Sequence, residues 1–131
     1  MKFTCSGHPN ILGKHRNTIE FTKDPKVSLQ GDCIVGVGCD FEFRNMKEMI
    51  EKNDEIIVDV IVGNQKFSFS SKINKTFTDD HEMVFRRGEF ASSRTLGVRT
   101  DKAAMDIPRS MMEKMKDPKQ KMTVEIIGRK K

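Results

Sequence analysis

The sequence contains no tryptophan and no tyrosine, so nine phenylalanines and nine methionines must supply the bulky groups of the core. The unbranched methionine side chain adapts to irregular space, which predicts a plastic core rather than a rigidly aromatic one. Long apolar runs are also lacking. The longest, residues 56–62, is interrupted by Asp59 and is far shorter than the ~20 residues of a membrane span. We therefore predict a protein with no membrane partner.

Cysteine is scarce and occurs three times, at Cys5, Cys33 and Cys39. An odd number does not fit a framework of paired disulfides, and no apolar secretion signal precedes the first cysteine. These features predict a cytoplasmic protein with reduced thiols. The run Cys5-x2-His8 matches no known zinc pattern, so we predict no metal and no cofactor. A zinc site that adds His15 and the other thiols is the alternative.

The composition is that of one small domain. A chain of 131 residues is long enough to bury a core of its own without cross-links such as disulfides or bound metals. Its formal charge of +5 comes from 24 basic and 19 acidic residues that are interspersed along the chain. Such an excess permits a phosphate-bearing partner without requiring one. The short basic tail, residues 129–131, is predicted to be solvated.

Alternating apolar residues predict strands, and two stretches have helical spacing. The predicted strands cover residues 18–22, 33–39, 55–62, 65–71, 82–87, 95–100 and 121–127. The predicted helices cover residues 43–52 and 108–116, the second with Asp106 as N-cap and three methionines facing inward. Gly63-Asn64 suits a tight hairpin turn. The expected fold is α+β: one domain with a curved, mostly antiparallel sheet or partly open barrel of about seven strands, and two short helices.

Polar residues of catalytic types crowd the first third of the chain. Thr18 and Glu20 alternate with apolar residues and so share the polar face of one strand. If Asp32 lies next to Glu20, the two carboxylates and the His15 imidazole would act as general acid and general base. The predicted catalytic residues are therefore His15, Glu20 and Asp32, and the predicted ligand-binding residues here are His8, Asn10 and Thr18. The alternative is that His15 and Glu20 are solvated near a strand end.

Four residues share one face of the predicted strand at 33–39 or lie just before it: Asp32, Ile34, Gly36 and Gly38. The glycines leave space that a ligand, a packed helix or strong bending of the sheet would use. No third glycine or Gly-Lys follows, which excludes the nucleotide-binding loops. Cys33 and Cys39 are predicted to be small core residues, with a nucleophilic Cys33 beside Asp32 as the alternative.

The second half of the chain offers cationic side chains where a strand end meets a helical turn. A planar guanidinium at such a place binds a carboxylate or phosphate with two parallel hydrogen bonds. We predict Arg94, Arg99 and Lys102 as ligand-binding residues. A surface ion-pair network with Glu89 and the aspartates of residues 101–106 is the alternative.

Several motifs together resemble one family of small, chiefly archaeal proteins, domain of unknown function 371. They are His8-Pro9-Asn10-Ile11, Gly13-Lys14-His15, Thr18-Ile19-Glu20, Gly31-Asp32-Cys33-Ile34, Arg94-Thr95-Leu96 and Asp101-Lys102-Ala103-Ala104-x-Asp106-x-x-Arg109. The resemblance spans nearly the whole chain and is weakest between Glu42 and Phe90. It implies a cytosolic, single-domain protein, and it supplies neither an activity nor catalytic residues.

Two functions follow from these residues. The first is a metabolite-binding protein or enzyme that acts on a small anionic substrate through a polar pocket. The second is an RNA-, DNA- or protein-binding module that uses Lys14, Arg16, Arg86 and the basic tail as phosphate contacts. The first is favoured, because histidine, asparagine and carboxylates crowd together where a phosphate-binding surface would need only lysine and arginine. The sequence leaves open whether the chain is an enzyme.

Overall fold

A computed structural model describes residues 1–130, which form eight strands and two short α-helices. The strands are β1 (Lys2–Ser6), β2 (Thr18–Thr22), β3 (Ile34–Gly36), β4 (Glu55–Val62), β5 (Gln65–Ile73), β6 (Glu82–Arg86), β7 (Thr95–Val98) and β8 (Lys121–Arg129). The α-helices are α1 (Lys47–Lys52) and α2 (Arg109–Lys114), and 3₁₀ turns cover Phe43–Asn45 and Ala104–Asp106.

The eight strands form one sheet in the order β1-β8-β4-β5-β7-β6-β2-β3. The pairs β6–β7 and β2–β3 are parallel, and the other five neighbouring pairs are antiparallel. The sheet is not closed into a barrel. Within residues 1–130, one isolated antiparallel bridge, Ser6 to Val37, joins its two edges. This architecture confirms the predicted single α+β domain with a mostly antiparallel sheet.

Seven strands lie where alternation predicts them, and the eighth, β1, is new. Its buried residues, Phe3 and Cys5, do alternate with exposed ones, but the segment is short and has only two apolar positions. Strand β3 is shorter than predicted, because the backbone turns at Gly38, which has a φ of +57°. The first predicted helix is split into a 3₁₀ turn and α1.

The start of α2 differs from the prediction that Asp106 is its N-cap. Pro108 takes that position, and α2 begins at Arg109. The Asp106 carboxylate instead accepts the Ala103 N–H at 2.8 Å and so caps the preceding 3₁₀ turn. The three methionines of the predicted inward face, Met111, Met112 and Met115, are buried.

The core joins the strands through edge-to-face phenylalanine pairs. Phe21 of β2 contacts Phe3 of β1 at 5.6 Å and Phe85 of β6 at 6.1 Å, between ring centroids. Phe69 of β5 contacts Phe85 at 5.1 Å. These rings fix the inner face of β2, so the residues that alternate with Phe21 lie on the opposite face of the sheet.

The hairpin between β4 and β5 forms as predicted, with Gly63 at a φ of +60° and Val62 opposite Gln65. The predicted basic tail begins inside the last strand, because Arg129 ends β8 and pairs with Glu55 at 3.4 Å, while its side chain is 53% exposed. Lys131 lies outside the described residues. Among residues 1–130, no helix has the length and apolarity needed to cross a membrane, since each α-helix has six residues.

Candidate functional site

The central feature of the site is a buried carboxylate in the middle of a strand. All five residues of β2 are buried, and Glu20 is 4% exposed. Its Cα lies opposite Val84 of β6 on one side and Ile34 of β3 on the other. Because both flanking strands hold the backbone of β2, the position of this side chain is fixed by the sheet.

Three side chains surround the Glu20 carboxylate. Arg94 Nη1 lies 3.3 Å from Glu20 Oε1 and 3.2 Å from Glu82 Oε1, so one guanidinium joins two carboxylates. Cys33 Sγ lies 3.7 Å from Glu20 Oε1 and donates its hydrogen to it. We call Glu20, Cys33, Glu82 and Arg94 the Glu20 cluster. Its members come from β2, from the residue before β3, from the start of β6 and from the residue before β7.

Burial sets the protonation of the cluster. Burial, together with the neighbouring Glu82 carboxylate and against the opposing effect of Arg94, raises the pKa of Glu20 from its ordinary value of 4.5 to about 7. Burial also raises the pKa of Cys33 to about 12, with the Glu20 and Asp32 charges adding to the effect. Glu20 therefore exchanges its proton near neutral pH, whereas Cys33 remains a thiol.

Arg94 is bound at one end and open at the other. Both of its ion pairs use Nη1, and within residues 1–130 its Nε and Nη2 form no hydrogen bond. The side chain is 41% exposed. Nε and Nη2 lie on the same edge of the planar guanidinium, which is the edge that binds a carboxylate or phosphate with two parallel hydrogen bonds.

The predicted histidines stabilise turns. His8 Nδ1 accepts the Asn10 N–H at 3.0 Å, and His15 Nδ1 accepts the Asn17 N–H at 3.1 Å. The Asn10 side chain donates to the Val27 carbonyl at 3.0 Å. In the described part of the chain, no hydrogen bond or ion pair joins these side chains to the Glu20 cluster.

The backbone nevertheless holds the predicted catalytic residues in one region. The Asp32 carbonyl accepts the His15 N–H at 3.4 Å, and the next carbonyl, that of Cys33, accepts the Glu20 N–H at 2.8 Å. Asp32 itself is partly buried, and its charge acts on the Cys33 thiol. Thr18, 7% exposed, precedes Glu20 by two residues and lies on the same face of β2.

Arg99 and Lys102 lie elsewhere. Arg99 Nη2 pairs with Glu89 Oε1 at 2.7 Å, as the surface ion-pair alternative expected for this residue. Lys102 Nζ donates to the Ser68 carbonyl at 2.6 Å and lies 5.1 Å from the centre of the Phe67 ring. Arg99 also borders a cavity of about 320 Å³ whose other lining residues are Asp54, Glu55, Ser70, Ser71 and Lys72.

The cysteines do not form a metal centre with the histidines. Among residues 1–130, no group of three or more histidine, cysteine or acidic side chains is arranged to hold a metal ion. Cys39 is a buried core residue as predicted, but Cys33 is only partly buried and contacts Glu20.

The group that approaches the Gly36 backbone is the Cys5 side chain, because a Cβ on Gly36 would lie 2.8 Å from Cys5 Cβ.

Comparison with known proteins supports the resemblance seen in the motifs. A family model described as a domain of unknown function, DUF371, matches residues 3–129. An uncharacterized protein of Methanocaldococcus jannaschii is 30% identical over 122 residues, which cover 88% of this chain and 90% of that protein. Neither comparison names an activity.

Proposed function

We propose, starting from the fact that this chain belongs to the DUF371 family, that its Glu20 cluster binds a small anionic metabolite and exchanges a proton with it. One observation carries the proposal. A buried carboxylate that titrates near neutral pH shares a guanidinium with a second carboxylate, and that guanidinium keeps its bidentate edge open.

The ligand class follows from Arg94. Its Nε and Nη2 donate in parallel, a geometry that fits the two oxygens of a carboxylate or phosphate group. Glu82 and Glu20 hold the guanidinium from the other end, so a ligand would meet a donor that is already oriented. Glu20 then serves as general acid or base for the bound molecule. The three free thiols support the cytoplasm as its location.

We extend the proposal to the predicted residues on the segments next to the cluster, whereas Arg99 and Lys102 lie elsewhere. Asp32, Thr18 and the backbone of His15 lie beside the cluster through the contacts of β2 and β3. We propose that they border the bound ligand, while His8 and Asn10 shape the loop that precedes β2. This arrangement would make the chain a metabolite-binding protein, or an enzyme if the bound ligand carries a proton that Glu20 can move.

The test compares two arginines. Inorganic phosphate, acetate and a panel of phosphorylated and carboxylated metabolites are titrated into the wild type and each variant by calorimetry, and in the wild type the Arg94 Nε resonance is also followed by nitrogen-15 NMR. Arg94→Lys keeps the charge but removes the two-donor edge, so we expect affinity for the best anion to fall about tenfold or more. Arg99→Lys is the matched control, because Arg99 also pairs with a glutamate but lies outside the cluster. It should leave affinity unchanged.

Two results would contradict this proposal. Loss of affinity in Arg99→Lys alone would assign the anion site to the cavity beside Arg99. Failure of every anion at millimolar concentration to shift the Arg94 resonance would remove the cluster as an anion site. Salt-sensitive binding of RNA without any anion binding would instead favour the nucleic-acid module.

A further inference from the structure

A second pair of reactive groups lies at the place where the two edges of the sheet meet. Cys5 of β1 and Cys39, which follows β3, are 1% and 5% exposed. Their sulfur atoms lie 2.8 Å apart, although the residues are 34 positions apart in the chain. Next to them, Ser6 and Val37 form the isolated bridge between the edges, with N–O distances of 2.7 and 3.0 Å.

Gly36 provides the space for the Cys5 side chain and accepts a hydrogen bond from the Cys39 thiol. A Cβ at this position would lie 2.8 Å from Cys5 Cβ and 3.0 Å from Cys5 Sγ, so only glycine leaves room for the Cys5 side chain. Cys39 Sγ donates to the Gly36 carbonyl at 3.6 Å. The two sulfurs are therefore held against the same peptide. They need approach only about 0.8 Å further to reach the S–S bond length of about 2.04 Å.

We propose that Cys5 and Cys39 are an oxidisable dithiol whose disulfide fastens β1 to the segment after β3. The oxidant is a small-molecule disulfide such as oxidised glutathione. One cysteine thiolate attacks a sulfur of the oxidant, forming a mixed disulfide and releasing one glutathione thiolate. The second cysteine thiolate then attacks the mixed disulfide and releases the other. Two protein thiols are oxidised, one glutathione disulfide is reduced to two thiols, and the two cysteine protons pass to solvent or to the released thiolates.

Access controls the rate of this reaction. Both thiols are buried, and burial raises the pKa of Cys5 well above its ordinary range, so the closed protein presents little thiolate. In residues 1–130 the edges are joined by the Ser6–Val37 bridge and by the hydrogen bonds between Thr4 and Asp40. These contacts are fewer than those of a full ladder, so local opening there exposes the pair more readily than opening inside the sheet. Oxidation should therefore be slow, and it should accelerate with rising pH and with mild denaturant.

The test uses the wild-type protein and Cys33→Ser, which removes the third thiol. Each is incubated with oxidised glutathione at pH 8.5, with and without low urea. Free thiols are then counted after denaturation. Cys33→Ser should fall from two thiols to none, with a mass loss of about 2 Da and a disulfide-linked peptide pair containing residues 5 and 39. The melting temperature should rise by roughly 10 °C and return on reduction.

Cys5→Ser is the matched control and should show neither the thermal shift nor the linked peptide. If that variant does not fold, peptide mapping of the wild type decides the question. The proposal is overturned if both thiols persist in Cys33→Ser under urea, if glutathione remains attached to Cys5 or Cys39, or if the mapped disulfide contains Cys33.

Discussion

The loop of residues 8–17 and the Glu20 cluster both contain polar residues of catalytic types, yet they use them in opposite ways. In the loop, two imidazoles accept the N–H of the residue two positions later. In the cluster, side chains bind side chains that are 12 to 74 residues away in sequence. A high density of polar residues along a chain therefore indicates turns as readily as catalysis, whereas a charged group buried away from water indicates a functional site.

The physical reason is the different cost of the two arrangements. A loop must satisfy its backbone N–H groups, and a nearby imidazole or carboxylate does so locally. A carboxylate placed in the middle of a buried strand loses its hydration, and only partners brought by other strands compensate for it. Glu20 is buried despite this loss of hydration. Substitution of Glu20 should therefore change the stability of the molecule more than the other substitutions considered below.

The largest effect is expected from Glu20→Gln as a function of pH. Because burial raises the pKa of Glu20 to about 7, the folded protein binds this proton more tightly than the unfolded chain does. The contribution of Glu20 to stability is therefore fully present below about pH 4.5 and is lost as the pH rises through about 7. Glutamine does not titrate. The free energy of unfolding of the variant, relative to wild type, should rise by about 3 kcal/mol between pH 4 and pH 8.

Urea unfolding across this pH range measures the difference. Glu113→Gln is a suitable control, since Glu113 is exposed and pairs only with Lys116 in the described chain. Its difference from wild type should stay nearly constant. A flat profile for Glu20→Gln would mean that Glu20 ionises in the ordinary range and is not a proton-exchanging group at neutral pH.

A smaller effect is expected from Arg94→Met, which removes the cation but keeps the length of the side chain. At pH 8 the Glu20 and Glu82 carboxylates would face each other without compensation, and we expect a loss of about 2 kcal/mol, discounted because Arg94 is partly exposed. At pH 5 protonation of Glu20 relieves most of this repulsion. Carbon-13 NMR of the Glu20 carboxyl should show its pKa above that of wild type. An unchanged pKa would show that Arg94 does not act on it.

The elements of the fold were largely predictable from the sequence because each depends on local periodicity. Alternation located β2, and helical spacing located the buried methionines of α2. The pairing within the Glu20 cluster was not predictable, because it depends on the strand order β7-β6-β2, in which neighbours are distant in the chain. Glu20 and Arg94 were predicted separately, but Glu82 was missed. The sequence did contain a signal for Glu82, because Glu82, Val84 and Arg86 alternate with two buried apolar residues of β6 and therefore share one face of that strand.

The smallest effect is expected in the loop, where His15→Ala should lower the free energy of unfolding by about 1 kcal/mol, the net contribution of one side-chain hydrogen bond. His15→Asn retains an acceptor that can bond the N–H two residues later, so it should recover part of that loss. Neither variant should alter the binding of an anion at Arg94, because the His15 ring is engaged by the turn. Urea unfolding and the phosphate titration measure the two properties separately. If His15→Ala abolished anion binding while its stability fell by this amount, the loop would be part of the site, and the contrast with the Glu20 cluster would no longer hold.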